Sequence, residues 1–198
     1  CEIDKARGAL RFVFQIRGEG TEILARYEEG RSWDILAPLG HGFELGDCSR
    51  KVCFVGGGIG VPPLLEAAKP FGANASAVLG FRTKAAAILL SDFERQGNRV
   101  ILATDDGSAG FHGLVTGCMP EDCEAVFACG PTPMLRAVAA WAAERGVPCQ
   151  ISLEQRMACG VGACLGCACK LKAEDGGWRF GHVCKDGPVF RADCVLFE

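Results

Sequence analysis

KVCFVGGGIGVPPLLEAAK, Lys51 to Lys69, decides the fold. An apolar run, Val52 to Val55, meets a turn built from Gly56, Gly57, Gly58 and Gly60, and a helical pattern follows from Val61 to Lys69. Glycines without side chains let a pyrophosphate approach the backbone amides, and the helix that follows points its positive end at the same place. The order G-G-G-I-G-V-P-P departs from G-x-G-x-x-G, so a tight strand-to-helix turn without a ligand remains the alternative. Working outward, strands are expected at Ser76–Gly80, Val100–Ala103, Ala125–Cys129 and Cys149–Leu153, and helices at Ser91–Gln96 and Thr132–Arg145. The alternation predicts an α/β fold, a mostly parallel sheet covered by helices. TDDGSAG, Thr104 to Gly110, and CGPTPML, Cys129 to Leu135, each follow a predicted strand, the place where open parallel sheets bind ligands. Three loops on one edge favour a nucleotide crevice.

Composition narrows the function classes. The 198 residues are 49% hydrophobic, with formal net charge −3 and interspersed signs, which points to neither nucleic acid nor an anionic membrane surface as partner. No apolar run approaches the ~20 residues of a membrane-spanning helix. The chain opens CEIDKARGAL, without Met, basic start or apolar signal run, and reads as a portion of a longer protein. Thirteen cysteines are an odd number, mostly scattered among periodic apolar segments, so a reducing cytoplasmic protein is expected rather than a disulfide scaffold.

Before the glycine turn, LRFVFQI (Leu10–Ile16) and SWDILAPL (Ser32–Leu39) read as strands of a small β-domain. Between them, Gly20 and Thr21 in GEGTEIL fit the start of a short helix with Thr21 as cap, a weak anion-site signal by itself. After Leu153 the periodicity stops. Residues 154–198 read as a Gly- and Cys-rich loop region too small for a core, in need of a staple.

That staple is legible in ACGVGACLGCACK, Ala158 to Lys170. Cys159, Cys164 and Cys167 follow C-x4-C-x2-C, the spacing of plant-type [2Fe-2S] sites, and Gly160, Gly162 and Gly166 let the loop wrap a cluster with its N–H groups facing the sulfurs. Zinc is the structural alternative, though it more often uses two separated short hooks. Cys169, Cys184 and Cys194 compete for the fourth ligand position. Cys169 is too near Cys167, Cys194 alternates with apolar residues like a buried strand residue, and Cys184 sits beside a Lys-Asp-Gly-Pro turn able to bring a loop back. Cys184 is therefore the choice.

Together, SLEQRMACGVGACLGCACK, HVCKDGPVF, FVGGGIGVPPLL and ACGPTPML resemble the electron-transfer subunit of type B dihydroorotate dehydrogenase, within the ferredoxin-reductase-like flavoproteins, over essentially the whole chain. The resemblance implies three parts: residues 1–48 the end of an FAD-binding β-barrel, 49–153 an NAD-binding α/β domain, and 154–198 a [2Fe-2S] domain. It implies Cys159, Cys164, Cys167 and Cys184 as cluster ligands. It implies Val13, Phe14, Gln15, Gly20 and Thr21 at FAD, and Gly57, Gly58, Asp105, Gly107, Cys129, Gly130, Pro131 and Met134 around the nicotinamide nucleotide. An Arg-x-x-Ser flavin segment would fall before Cys1, which puts FAD retention by this stretch alone in question.

The activity so implied is electron transfer between NAD(H), FAD and the cluster, to or from an FMN-containing catalytic subunit that converts dihydroorotate to orotate, in a heterotetramer of two of each. The chain needs no acid/base residue or nucleophile for this; His41, His112 and His182 are dispersed. Arg82 and Lys84 stand where a 2'-phosphate would be met, while the resemblance favours NAD, so the choice of dinucleotide stays open. Competing readings are a ferredoxin:NADP or sulfide oxidoreductase subunit with the same layout, and a non-catalytic zinc-binding interaction module.

Overall fold

The computed structural model describes residues 1–197. At its centre β3 (Val52–Gly57), β4 (Ala75–Phe81), β5 (Arg99–Thr104), β7 (Ala125–Cys129) and β8 (Cys149–Ser152) run parallel; β1, β2 and the remaining strands are placed below. They form most of one seven-stranded sheet, with β6 (Phe111–His112) beside β5 and β11 (Val189–Arg191) antiparallel to β8. The spatial order is β11-β8-β7-β3-β4-β5-β6. From β3 the chain winds one way through β4 and β5, then returns to the other side of β3 as β7 and β8. This reversal makes the carboxyl ends of β3 and β7 a topological switch point, where α/β sheets form crevices.

Alternation along the strands feeds two cores, as expected for a sheet covered on both faces. Phe54 and Phe127 stack at 4.9 Å between ring centroids, and Phe71 meets Phe54 edge-on at 5.6 Å, on the face covered by α2 (Pro62–Ala68) and α3 (Leu90–Arg95). Aromatic pairs of this kind contribute ~0.5–1.5 kcal/mol beyond their buried area. The other face takes α4 (Thr132–Glu144), whose Leu135, Val138, Trp141 and Ala142 form one buried stripe. Pro133 suits the opening turn of α4, and Gly146, at φ +66°, ends it in the left-handed conformation that glycine tolerates.

Two expectations need correction. Of Leu10–Ile16 only Leu10 and Arg11 are strand, at the end of β2 (Ala9–Arg11), and Ser32–Leu39 is not one: residues 1–48 hold one hairpin, β1 (Glu2–Asp4) with β2, and one helix, α1 (Glu19–Ala25). A β-rich run becomes a strand only beside a backbone that satisfies its ladder. Phe12, Phe14, Ile16, Ile35 and Leu36 are exposed instead, with Phe12 and Tyr27 gathered on Trp33. Nor is 154–198 without regular structure or core. β9 (Ala168–Lys172) pairs with β10 (Trp178–His182), and Cys167, Cys169, Leu171, Val183, Cys184 and Val195 join the same buried cluster as α4. Short, glycine-interrupted strands carry little periodicity to read, and their burial depends on a distant helix. Among the described residues no helix is long and apolar enough to cross a membrane.

Candidate nucleotide crevice and cysteine loop

The sheet register brings the loop candidates to one edge. Cys129 pairs with Gly56 and Ser152, Gly57 with Gly80, and Gly80 with Ala103, two residues short of Asp105. The loops touch closely at the switch point. A Cβ on Gly57 would lie 2.6 Å from Met134 Sδ and 2.9 Å from Pro131 Cδ, and one on Gly130 would lie 3.0 Å from Gly57 N. At Gly60 it would overlap the Cys129 carbonyl, so close passage of two backbones accounts for part of the glycine pattern. Gly58 is different: it is open to its surroundings and has φ +53°. Gly57, Gly58, Cys129, Gly130, Pro131 and Met134 are thus assembled. Asp105 and Gly107 lie further along the edge, in a turn where Asp105 N donates to Phe81 O at 3.0 Å. Hollows lined by Phe43, Leu45 and Pro63 and by Ile3, Glu66 and Lys69 lie beside α2 and involve no crevice residue.

Burial, together with the Glu154 charge, pushes the Cys129 thiol up to about 12. It stays protonated at neutral pH and is unsuited to nucleophilic work, since the thiolate is the reactive form. With its folded pKa raised, its contribution to stability is complete below the ordinary value of 9.0 and is lost as pH climbs from there toward about 12. Iodoacetamide at pH 8 is accordingly expected to spare Cys129 in the native chain and label it in urea, read by peptide mass spectrometry. Native labelling as fast as that of the half-exposed Cys48 would contradict this placement. Glu154 and the buried Ser152 belong to this neighbourhood, yet no local signal in the sequence marks them, because only the β7–β8 pairing brings them there.

In the N-terminal part, Gly18 rather than Thr21 caps α1. Thr21 is the third helical residue and reaches back, its Oγ1 accepting from Arg17 N at 2.9 Å and Gly18 N at 3.2 Å and donating to Gly18 O. Val13 is half-buried, while Phe14, Gln15 and Gly20 are exposed, and Gln15 Oε1 accepts from Arg17 Nε at 2.8 Å. This region reaches the cysteine loop through Leu36 and Leu39, whose methyl carbons would lie 3.4 and 3.3 Å from a Cβ on Gly160.

The four candidate ligands fall into two pairs. Cys159 lies beside Cys164 and Cys167 beside Cys184, each pair near enough for its thiols to influence one another. Backbone N–H groups converge on them: Ala163 N lies 3.3 Å from Cys159 Sγ, Gly166 N 3.4 Å from Cys164 Sγ, and Cys184 N 3.4 Å from Cys167 Sγ. Donation from Val161, then Ala163, with help from Cys164, holds the Cys159 thiol down to about 6. Burial pushes the Cys184 thiol up despite an N–H from Gly162. Gly162, at φ +79°, has Lys185 Cδ 2.8 Å from where its Cβ would stand, so the two loops close over each other.

Leu165, between Cys164 and Cys167, holds φ 59°, a left-handed conformation costing a non-glycine residue roughly 1–2 kcal/mol. Such local strain is typical of ligand clamps. Among the described residues no three His, Cys, Asp or Glu side chains converge to hold a single ion. Two pairs with inward amides suit a two-iron cluster, each pair serving one iron, better than one tetrahedral zinc.

Cys169 lies in β9 opposite Gly181, buried and outside both pairs. Cys194 is a correction: it ends a half-exposed 3-10 turn, Ala192–Cys194, and is not a buried strand residue, because β11 stops at Arg191.

A switch-point crevice on a parallel sheet, continuous in one core with a loop of paired thiols, defines an iron–sulfur oxidoreductase of the ferredoxin-reductase-like class. A solved structure described as an NADH-dependent reduced ferredoxin-NADP oxidoreductase superposes with TM-score 0.75 at 32% identity, covering 93% of this chain and 67% of that one. The family description "Iron-sulfur cluster binding domain of dihydroorotate dehydrogenase B" matches residues 154–196. The dihydroorotate dehydrogenase B (NAD(+)) electron transfer subunit of Caldanaerobacter subterraneus is 45% identical over 192 residues, 95% of this chain and 76% of that protein. Its counterpart in Geobacillus thermodenitrificans is 44% identical, covering 99% of this chain and 77% of its own length. The chain belongs to this family of electron transfer subunits.

Proposed function

We propose that this chain carries electrons between NAD(H) and the FMN-containing catalytic subunit of dihydroorotate dehydrogenase B, by way of FAD and a [2Fe-2S] cluster. The observation that carries the proposal is the pairing of Cys159 with Cys164 and Cys167 with Cys184 under inward-facing amides. When bound, the flavin and the cluster supply the conversion between two-electron and one-electron chemistry. The chain's own residues position and shield. Gly57, Gly58, Asp105, Gly107, Cys129, Gly130, Pro131 and Met134 seat the dinucleotide; Val13, Phe14, Gln15, Gly20 and Thr21 serve the flavin; the four paired cysteines hold the irons. The buried, protonated Cys129 backs the crevice from within the core and places no charge beneath the nicotinamide. Division into flavin, nucleotide and cluster parts near residues 48 and 153 fits the positions of these groups. Thirteen free cysteines suit a reducing cytoplasm.

Anaerobic titration of the holoenzyme with NADH tests the proposal. Flavin and iron–sulfur absorbance are expected to bleach together, and dihydroorotate is expected to bleach them through the catalytic subunit. If neither donor bleaches the iron–sulfur band, the chain is not the conduit proposed.

A further inference from the structure

Cys184 rides on a turn, His182 to Gly187, that one carboxylate ties shut. Asp186 Oδ2 accepts from the His182 backbone N–H at 2.7 Å and lies 3.4 Å from His182 Nδ1. From the other side, Lys185 N, Asp186 N and Gly187 N all donate to the His182 carbonyl, at 3.2, 2.8 and 3.2 Å. His182 is thus clamped at both ends of its backbone. The clamp sets Val183 N on the Cys167 carbonyl at 3.1 Å and Cys184 N on Cys167 Sγ at 3.4 Å. Although half-exposed, the carboxylate leans over the cluster hairpin: a Cβ on Gly181 would lie 3.7 Å from Asp186 Oδ2. Its charge is among the influences that push up the buried Cys169 thiol, after burial itself and Cys167. Nothing in the electron-transfer scheme uses this residue.

We infer that Asp186 is a positioning residue for the cluster, fixing the Cys184 turn and placing a negative charge on that turn, two residues from Cys184, that makes the bound cluster harder to reduce. This rests on the reading of the four cysteines as ligands. Reduction adds an electron to the cluster, so a nearby negative charge opposes it, and removing that charge raises the potential. Asp186→Asn keeps an oxygen for the His182 N–H and removes the charge. Asp186→Ala removes both.

Redox titration of the intact holoenzyme, followed by the EPR signal of the reduced two-iron cluster, separates these roles. Asp186→Asn is expected to retain wild-type iron and sulfide and to shift the one-electron equilibrium about tenfold toward reduction, a rise of ~59 mV. Asp186→Ala is expected to lose its iron to a chelator at least ~tenfold faster than wild type, and Asp186→Glu to return the potential toward wild type. An unchanged potential in Asp186→Asn overturns the inference even if Asp186→Ala fails to fold. A wild-type holoenzyme without any two-iron signal would instead overturn the ligand assignment beneath it.

Discussion

Cys184→Ser is expected to strip the [2Fe-2S] cluster from the chain, while Cys169→Ser is expected to keep it. Both residues are buried, and each lies near Cys167, so neither exposure nor proximity separates them. Pairing does. Cys184 sets its thiol beside that of Cys167, receives the Gly162 N–H, and lies within electrostatic reach of Cys159 across the loop. Cys169 sits in β9 opposite Gly181 and belongs to the buried cluster that α4 covers. Serine offers iron a hard, weakly acidic hydroxyl in place of a thiolate, so loss of one ligand from four removes most of the bound iron. Iron and acid-labile sulfide per chain, with the visible spectrum of anaerobically purified protein, measure the outcome. Equal cluster content in the two variants would show the assignment of the fourth ligand to be wrong.

The second large effect is expected at Gly60→Ala. Its methyl group would overlap the Cys129 carbonyl and come within 2.6 Å of Gly130 Cα, and both obstacles are backbone. No rotamer change relieves such a clash, so the β3 and β7 loops must part. We expect a stability loss at or above the top of the ~1–3 kcal/mol that overpacking costs, and NADH binding weakened at least ~tenfold, because the displaced loops are those we propose seat the dinucleotide. Gly58→Ala makes the contrast. Its methyl group would meet nothing within 4 Å, and only the φ of +53° is unfavourable, at roughly 1–2 kcal/mol. Denaturant unfolding and NADH titration of the pair read the difference. Comparable losses in both variants would mean that the close passage of the two loops is not what sets the crevice.

Much of this was legible in the sequence because it is local. KVCFVGGGIGVPPLLEAAK announces strand, turn and helix within nineteen residues, and β3 with α2 follows that reading closely. The cysteine spacing is equally local, since Cys159, Cys164 and Cys167 belong to one loop. What the sequence hides is pairing across distance. Phe12 and Phe14 read as strand residues, but strand formation depends on a neighbour that LRFVFQI does not itself specify. Thr21 reads as a cap, yet its hydroxyl turns back to serve Arg17 and Gly18, a choice among nearby amides that composition leaves undetermined. Glu154 and Ser152 reach Cys129 only once β8 lies beside β7. Leu36 and Leu39 meet Gly160 across more than a hundred residues of chain.

The turn that carries Cys184 continues directly into β11, the antiparallel edge of the main sheet, with Leu153 N on the Pro188 carbonyl at 2.8 Å and His41 N on the Gly187 carbonyl at 2.6 Å. Cys184, the candidate ligand furthest along the chain from the other three, is therefore held near them by a turn anchored to β8 through β11. The arrangement of the four cysteines is thus coupled to the sheet edge: a change that frees β11 from β8 also loosens the turn that carries Cys184.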